Sequence, residues 1–172
     1  MADPYCLRTV VCKGYKSVTF IADFYRRAEK AIEQDQQPII LYFGDLDPSG
    51  VQMLEATRET LESELGLEGV EFRRVGLNPD QVKKFNLLHD PEAVKLSDTR
   101  SSAYIKKYGE LAVELDAIHP GTLAQLTRDA IEQVIEMDFF REHKELEKKD
   151  TRTIGDLRSK VLKFIHREIK NV

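Results

Sequence analysis

The chain carries its strongest structural signal in IILYFGDLDPSG, residues 39–50. Its five consecutive apolar residues, 39–43, are typical of a strand in a parallel sheet that is buried on both faces. Such a strand lacks the alternation of apolar and polar residues found in a strand with one exposed face. The glycine and the two aspartates that follow place polar groups at the carboxyl end of that strand. Pro48 suits the first position of a helix. The stretch therefore predicts a central strand, a tight connection and a helix.

Regular elements extend on both sides of this central strand. Residues 7–12 are β-formers and predict a first strand, after which Ser17 caps a helix whose apolar positions recur every three or four residues to about residue 34. Residues 51–65 carry the apolar stripe of a second helix, which Gly66 ends. Residues 70–77 predict a third strand. This alternation predicts an α/β fold with a parallel sheet and helices on both faces.

The second half of the chain adds further elements. They are predicted to be a short helix from residue 79 to about 85, a surface loop over 86–103, a fourth strand over 112–118, a long helix from 120 to about 140, a charged stretch over 141–150 and an amphipathic helix over 154–169. We therefore expect an α/β domain over residues 1–140 and a charged helical extension over 141–172.

The composition is that of a folded chain of about one domain. The chain has 172 residues, of which 41% are apolar, and this is enough to bury a core. No apolar run approaches the roughly 18 residues of a membrane span, and no signal or lipidation pattern is present, so we expect a cytoplasmic protein without a membrane partner. Cys6 and Cys12 are too few for a disulfide framework or a four-cysteine zinc site.

Charge is unevenly distributed along the chain. The net charge of −4 argues against a dedicated polybasic nucleic-acid surface, yet residues 141–172 carry 10 basic and 6 acidic side chains. Two interpretations of this segment are open: a face along nucleic acid, or a solvated helical appendage or oligomer contact. The second is favoured because Phe164 is the single aromatic residue that could stack on bases among these basic residues. Eight of the ten basic residues are candidates for such a nucleic-acid face, namely Lys148, Lys149, Arg152, Arg158, Lys160, Lys163, Arg167 and Lys170.

Asp45 and Asp47 form the densest candidate site. Two carboxylates two residues apart at the end of a strand can converge on one cation, and Mg²⁺ is commonly bound by one or two carboxylates with water and substrate phosphates. The helix that begins at Pro48 adds backbone amides that favour an anion such as phosphate. The alternative is that the two aspartates are only a helix cap and a turn residue.

Other charged residues are expected near the same edge of the sheet. Glu114 and Asp116 alternate on the predicted fourth strand, so they point to one face, where Glu114 could support the metal site; the alternative is that both are edge or cap residues. Basic residues in turns and at strand ends could meet phosphates there, although most such charges are solvated surface groups. They are Lys13, Lys16, Arg73, Arg74 and Arg100.

The motif DLDPSG, residues 45–50, resembles the Asp-x-Asp-Pro-x-Gly signature of Toprim domains of the topoisomerase VI type. KGYKS, residues 13–17, resembles the Gly-Tyr-x-Ser turn of uncharacterised bacterial and phage proteins with such a domain. RVGL, residues 74–77, and SDTR, residues 97–100, follow the order of elements in those proteins. VELDAI, residues 113–118, resembles their Val-Glu-Leu-Asp-Ala-Leu element. The resemblance covers roughly residues 7–135.

The resemblance implies a Toprim-like, Rossmann-like parallel sheet of about four strands and an Mg²⁺ site, with Mn²⁺ as a substitute. It implies that Asp45 and Asp47 are catalytic and metal-binding, and that the partner is nucleic acid, with DNA favoured over RNA. The glutamate that this family carries on its first strand has no counterpart here. We therefore expect a shortened chain, a homodimer or partner chain that supplies the missing elements, or an inactive domain.

Three functions remain open. The first is an Mg²⁺-dependent nucleic-acid-processing domain, such as a nuclease or a topoisomerase-like protein, within a larger protein. The second is a non-catalytic Toprim module that binds nucleic acid or a partner chain. The third is a haloacid-dehalogenase-like phosphohydrolase, because Asp45, Asp47 and Ser49 approximate its Asp-x-Asp-x-Thr motif. The third is disfavoured because a strand and a helix precede the motif and no adjacent aspartate pair follows.

Overall fold

The computed structural model describes residues 3–11, 18–88 and 101–170. These residues form an α/β fold that is mostly helical and contains one parallel strand pair. The elements are α1 (Val18–Ile32), β1 (Ile39–Phe43), α2 (Pro48–Glu59), β2 (Glu71–Gly76), α3 (Pro79–Lys84), α4 (Ser101–Tyr108), α5 (Pro120–Glu132) and α6 (Met137–Lys170). Helix α2 continues as a π-helical turn, Thr60–Glu64, and short 3₁₀ helices span Asp3–Tyr5 and Leu115–Ala117.

The predicted central strand and third strand are confirmed as β1 and β2. They pair in parallel with Ile40 opposite Phe72 and Tyr42 opposite Arg74, and a bulge follows Tyr42. Helix α2 is the crossover that joins them, as parallel pairing requires. Gly66, with φ +67°, follows the end of the π-helical turn and stops the helix as predicted, because a glycine adopts this left-handed conformation without steric cost.

The predicted first strand is wrong for the residues that the structure describes. Residues 7–11 lie outside any strand, and Val11 is 78% exposed. The Arg8 guanidinium binds the Asp23 carboxylate on α1 at 2.7 Å, so this segment is held by a side-chain ion pair and not by a sheet ladder. Cys12 lies outside the described residues.

The predicted fourth strand over 112–118 is also wrong. Val113 makes a single antiparallel bridge with Leu46, through hydrogen bonds of 2.9 and 3.1 Å. The chain then turns into the 3₁₀ helix, because Ala117 and Ile118 donate to the nearby carbonyls of Glu114 and Leu115. Within the described residues, the sheet therefore has two strands in place of the expected four.

Among the described residues 18–131, three apolar clusters form, and two of them are large. Ile40 and Phe72 face α1 and the end of α2, where they pack against a cluster of Ile21, Ala28, Leu61, Leu67 and Val70. The second cluster lies under the connection that follows β1 and contains Leu46, Leu77, Val82, Val113 and Ile118. Leu46, between the two candidate aspartates, is fully buried, so this connection is anchored in the core.

The C-terminal helices differ from the prediction in their boundaries. Helix α5 ends at Glu132, and α6 runs without a break from Met137 through the stretch predicted as a charged connection. Charged residues continue the helix there because Lys144 pairs with Glu147 and Lys148 with Glu145, each at a spacing of three residues. The chain falls into two compact units, Met1–Ile131 and Glu132–Val172, so residue 140 lies inside α6.

The predicted surface loop over 86–103 is described only in part. Residues 89–100 lie outside the described ranges, and α4 begins at Ser101. Among the helices that the structure describes, none has the length and apolar content to cross a lipid bilayer.

Candidate functional site

The connection from β1 to α2, residues 44–50, forms the candidate site. Gly44 extends the strand pairing by one residue, since its N–H donates to the Gly76 carbonyl at 2.7 Å and its carbonyl accepts from Leu77 at 2.8 Å. Gly50 is buried against the Asp45 carbonyl oxygen, and a Cβ on Gly50 would overlap that oxygen. The glycines at both ends therefore allow the tight path of the backbone.

Asp45 is half-buried at the carboxyl end of β1. Its Oδ1 accepts a hydrogen bond of 2.7 Å from the backbone N–H of Leu115, 70 residues away in the sequence. Its Oδ2 accepts no hydrogen bond from any described residue. Asp45 thus fastens the connection to the segment before the 3₁₀ helix and keeps one carboxylate oxygen available.

Asp47 is the N-cap of α2. Its backbone is extended, and its Oδ1 accepts from the Gly50 N–H at 2.5 Å, which satisfies one of the unpaired donors of the helix start. The Ser49 hydroxyl donates to the same carboxylate at 3.0 Å, and Pro48 occupies the first turn. The cap predicted as the alternative function of this motif is therefore present at Asp47.

Arg74 lies inside the site and holds its backbone together. Its guanidinium donates to the carbonyl of Asp45 and to those of Gly44 at 3.1 Å, Gly50 at 3.2 Å and Leu77 at 2.9 Å. The guanidinium also lies over the Tyr42 ring, 5.3 Å from its centroid. The sequence predicts that Arg74 binds phosphates, whereas in the structure its guanidinium N–H groups donate to backbone carbonyls of the protein.

Arg73 lies on the opposite face of β2, because successive strand residues alternate. Its guanidinium binds the Glu71 carboxylate, and this hydrogen bond lowers the pKa of Glu71. Arg73 and Arg74 therefore lie on opposite faces of the sheet, and the contact of Arg73 with phosphate stays a prediction. The other three basic candidates, Lys13, Lys16 and Arg100, lie outside the described residues, so their role stays a prediction.

Glu114 and Asp116 are both exposed and lie at the 3₁₀ helix, not on a strand. The expected alternation of their side chains on one face is therefore lost. Glu114 immediately precedes Leu115, whose N–H binds Asp45, so its backbone lies next to the site. The placement of its side chain as a metal ligand stays a prediction.

The donor set of the site fits Mg²⁺ in its chemistry and provides two carboxylates. Within residues 3–11, 18–88 and 101–170, no group of three or more histidine, cysteine, aspartate or glutamate side chains is close enough to hold a metal ion. A cation at Asp45 and Asp47 would thus take its other ligands from water and phosphate, as Mg²⁺ commonly does.

Tyr42 and Tyr104 belong to the site and were not predicted. The Tyr42 hydroxyl donates to the Gly50 carbonyl at 2.9 Å, and the Tyr104 hydroxyl donates to the Leu111 carbonyl at 2.6 Å. Burial raises the pKa of Tyr104 to about 12, and the negative charge of Asp47 acts in the same direction. Tyr42 lies in an apolar run and Tyr104 in a helix, and both positions indicate core packing. The sequence therefore carries no signal for these hydroxyl contacts.

Comparison of the chain with protein-family models, with curated proteins and with solved structures finds no match.

Proposed function

We propose that this chain is a Toprim-like module that binds Mg²⁺ through Asp45 and Asp47 and acts on phosphodiesters of nucleic acid, with DNA favoured over RNA. The supporting observation is that two independent backbone contacts fix the two carboxylates at the carboxyl end of β1. Asp45 is fixed by Leu115 at 2.7 Å, and Asp47 by Gly50 at 2.5 Å. This edge, beside a helix N-terminus, is where open α/β sheets bind ligands.

The proposed chemistry divides between the cation and the chain. When bound, Mg²⁺ supplies stabilisation of the charge that develops on a phosphodiester oxygen. The available oxygen of Asp45 and the carboxylate of Asp47 hold the cation. The N-terminus of α2, with Pro48 in its first turn, favours the phosphate through its backbone dipoles. Arg74 keeps the connection in this conformation through its four carbonyl contacts.

The Toprim assignment rests on the motifs and their order in the sequence. Two strands of the described sheet, β1 and β2, correspond to the strands on either side of the Asp-x-Asp helix. A second chain that adds strands to this pair is the partner that the assignment implies. Mn²⁺ would replace Mg²⁺, since both are hard cations with oxygen ligands.

A non-catalytic module that binds nucleic acid or a partner chain without metal is the second candidate. It is favoured by one observation: both aspartates already accept hydrogen bonds that build the connection and cap the helix. Carboxylates with this structural role would persist in a domain that had lost catalysis. The phosphohydrolase hypothesis is supported by no contact of the described residues and stays a prediction.

A DNA-processing assay on this chain tests the proposal. Supercoiled and linear DNA are incubated with the chain in Mg²⁺, in Mn²⁺ and in a chelator, and an RNA substrate is run in parallel. The test variant is Asp45→Asn/Asp47→Asn, in which both amide oxygens can still accept the structural hydrogen bonds. The matched control, Glu55→Gln/Glu59→Gln, removes the same charge from exposed positions of α2.

We expect metal-dependent conversion of DNA that the chelator and the test variant abolish and the control retains. Equal conversion by the test variant would contradict the proposal. DNA binding that needs no metal, is equal in both variants and leads to no conversion would assign the non-catalytic module instead.

A further inference from the structure

The segment between α4 and the second 3₁₀ helix lies against the β1–α2 connection. Residues 109–114 belong to no helix or strand. Val113 exchanges two backbone hydrogen bonds with Leu46, at 2.9 and 3.1 Å. The Leu115 N–H donates to the Asp45 carboxylate at 2.7 Å. The position of the Asp45 carboxylate therefore depends on where residues 111–115 lie.

The Tyr104 hydroxyl ties this segment to α4. It donates to the Leu111 carbonyl at 2.6 Å, four residues before the amide that binds Asp45. Tyr104 is 5% exposed, and Ala112, next to Leu111, is 4% exposed. Because these two residues form a buried cluster, water competes weakly for the hydroxyl donor. Tyr104 therefore fixes the start of the segment that holds Asp45.

The cluster of Tyr104 and Ala112 also supports Asp47. Val51 packs against this cluster. Val51 lies in the first turn of α2, and its N–H donates to the Asp47 carbonyl at 3.1 Å. Burial raises the pKa of Tyr104, and the charge of Asp47 is the next cause, so this carboxylate acts on the phenol through space. Tyr104 is therefore connected to both aspartates of the site.

We propose that Tyr104 is a positioning residue of the candidate metal site, which fixes the separation of the Asp45 and Asp47 carboxylates. This role rests on the proposed function, in which both carboxylates hold one Mg²⁺. Mg²⁺ requires nearly ideal octahedral geometry, so a small displacement of one carboxylate weakens its binding. Removal of a group that orients a metal ligand typically lowers metal affinity by roughly 10–100-fold.

Tyr108 provides a matched control for Tyr104. It lies one helical turn further along α4, and the centroids of the two rings are 4.9 Å apart. Its hydroxyl makes no hydrogen bond with any residue that the structure describes. Tyr104→Phe and Tyr108→Phe therefore remove the same atom from neighbouring rings and keep both rings in place. Of the two, Tyr104→Phe is the variant that breaks the bond to Leu111.

Calorimetric titration of the full chain with Mg²⁺ measures the effect on the site. We expect Tyr104→Phe to weaken Mg²⁺ binding on the order of tenfold, and Tyr108→Phe to leave it unchanged. Far-UV circular dichroism checks that both variants keep the helix content of the wild-type chain. Equal Mg²⁺ affinity in Tyr104→Phe and the wild-type chain would overturn the proposal.

Hydrogen exchange of the Leu115 amide, measured by NMR on the metal-free chain, separates positioning from general destabilisation. Loss of the Tyr104 hydroxyl should free residues 111–115 locally, so exchange at Leu115 should become about fivefold faster in Tyr104→Phe. The reference is the Glu71 amide, which donates to the Pro38 carbonyl at 2.9 Å and should change less. Equal acceleration at Leu115 and Glu71 would assign Tyr104 to global stability alone and refute the positioning role.

The two measurements distinguish a failure of this role from a failure of the proposed function. A wild-type chain that binds no Mg²⁺ would contradict the proposed function, and with it the role of Tyr104 toward the cation. Mg²⁺ binding that is equally tight in the wild-type chain and in Tyr104→Phe would leave the metal site in place and refute the role of Tyr104 alone.

Discussion

Removal of the Arg74 guanidinium tests how the candidate site is held together. In Arg74→Met the side chain keeps much of its apolar volume and loses every donor, so the four carbonyl contacts at Gly44, Asp45, Gly50 and Leu77 are lost. A protein hydrogen bond contributes about 1 kcal/mol net. Four such bonds at a half-buried group, with partial rehydration of the carbonyls, predict a loss of about 3 kcal/mol in the free energy of unfolding.

Urea denaturation followed by tyrosine fluorescence measures this loss. The chain has no tryptophan, and its six tyrosines lie between residues 5 and 108, so the emission reports the unit Met1–Ile131 alone. Arg73→Met is the matched control on the opposite face of β2, where the side chain pairs with Glu71, and we expect it to leave the midpoint unchanged. A loss under about 1 kcal/mol in Arg74→Met would refute the assigned role of Arg74.

Three further predictions follow from single contacts. The contribution of Tyr104 to the free energy of unfolding should be constant below pH 10.0 and be lost as the pH rises toward about 12, because the pKa of Tyr104 is raised from 10.0 in the folded state. Tyr104→Phe should therefore reduce the fall in stability over this range, and an equal fall in Tyr104→Phe would contradict it. Gly50→Ala should lower the free energy of unfolding by about 2 kcal/mol, because its Cβ would overlap the Asp45 carbonyl oxygen, and a neutral result in the same urea assay would disprove this close approach. Gly155→Ala should stabilise α6 by about 1 kcal/mol, because a glycine in a helix interior costs that much and nothing lies within 4 Å of its Cβ position; unchanged hydrogen exchange along α6 would argue against it.

The local elements around residues 39–50 follow from the sequence because their signals are short-range. A run of five apolar residues predicts β1, a proline after an aspartate predicts the start of α2, and Gly66 predicts the end of that helix. The cap at Asp47 needs only residues within three positions, so the sequence predicts it as the alternative to a metal ligand.

The strands predicted over residues 7–12 and 112–118 failed because strand formation depends on a partner far away in the sequence. The ion pair of Arg8 with Asp23 and the hydrogen bond of Leu115 to Asp45 take the place of ladder hydrogen bonds. The strand propensity of single residues takes neither contact into account. The continuity of α6 through residues 141–150 was missed because ion pairs three residues apart compensate for the low apolar content there.

Within the site, the roles of Arg74 and Tyr104 could not be predicted, since both act on backbone carbonyls brought near by the fold. The Gly44 and Asp45 carbonyls are about 30 residues from Arg74 in the sequence. A basic residue at a strand end is equally consistent with a phosphate contact and with a contact to backbone carbonyls. Only the backbone conformation of the β1–α2 connection distinguishes these two roles.

Calorimetric titration of the chain with Mg²⁺ and Mn²⁺ at near-physiological salt measures whether Asp45 and Asp47 bind a metal ion. We expect binding to the wild-type chain and to Glu55→Gln/Glu59→Gln, and loss of binding in Asp45→Asn/Asp47→Asn with tyrosine fluorescence unchanged. Absence of binding to the wild-type chain, or equal binding to all three proteins, would contradict a metal site at the end of β1 and leave Asp45 and Asp47 as structural acceptors alone.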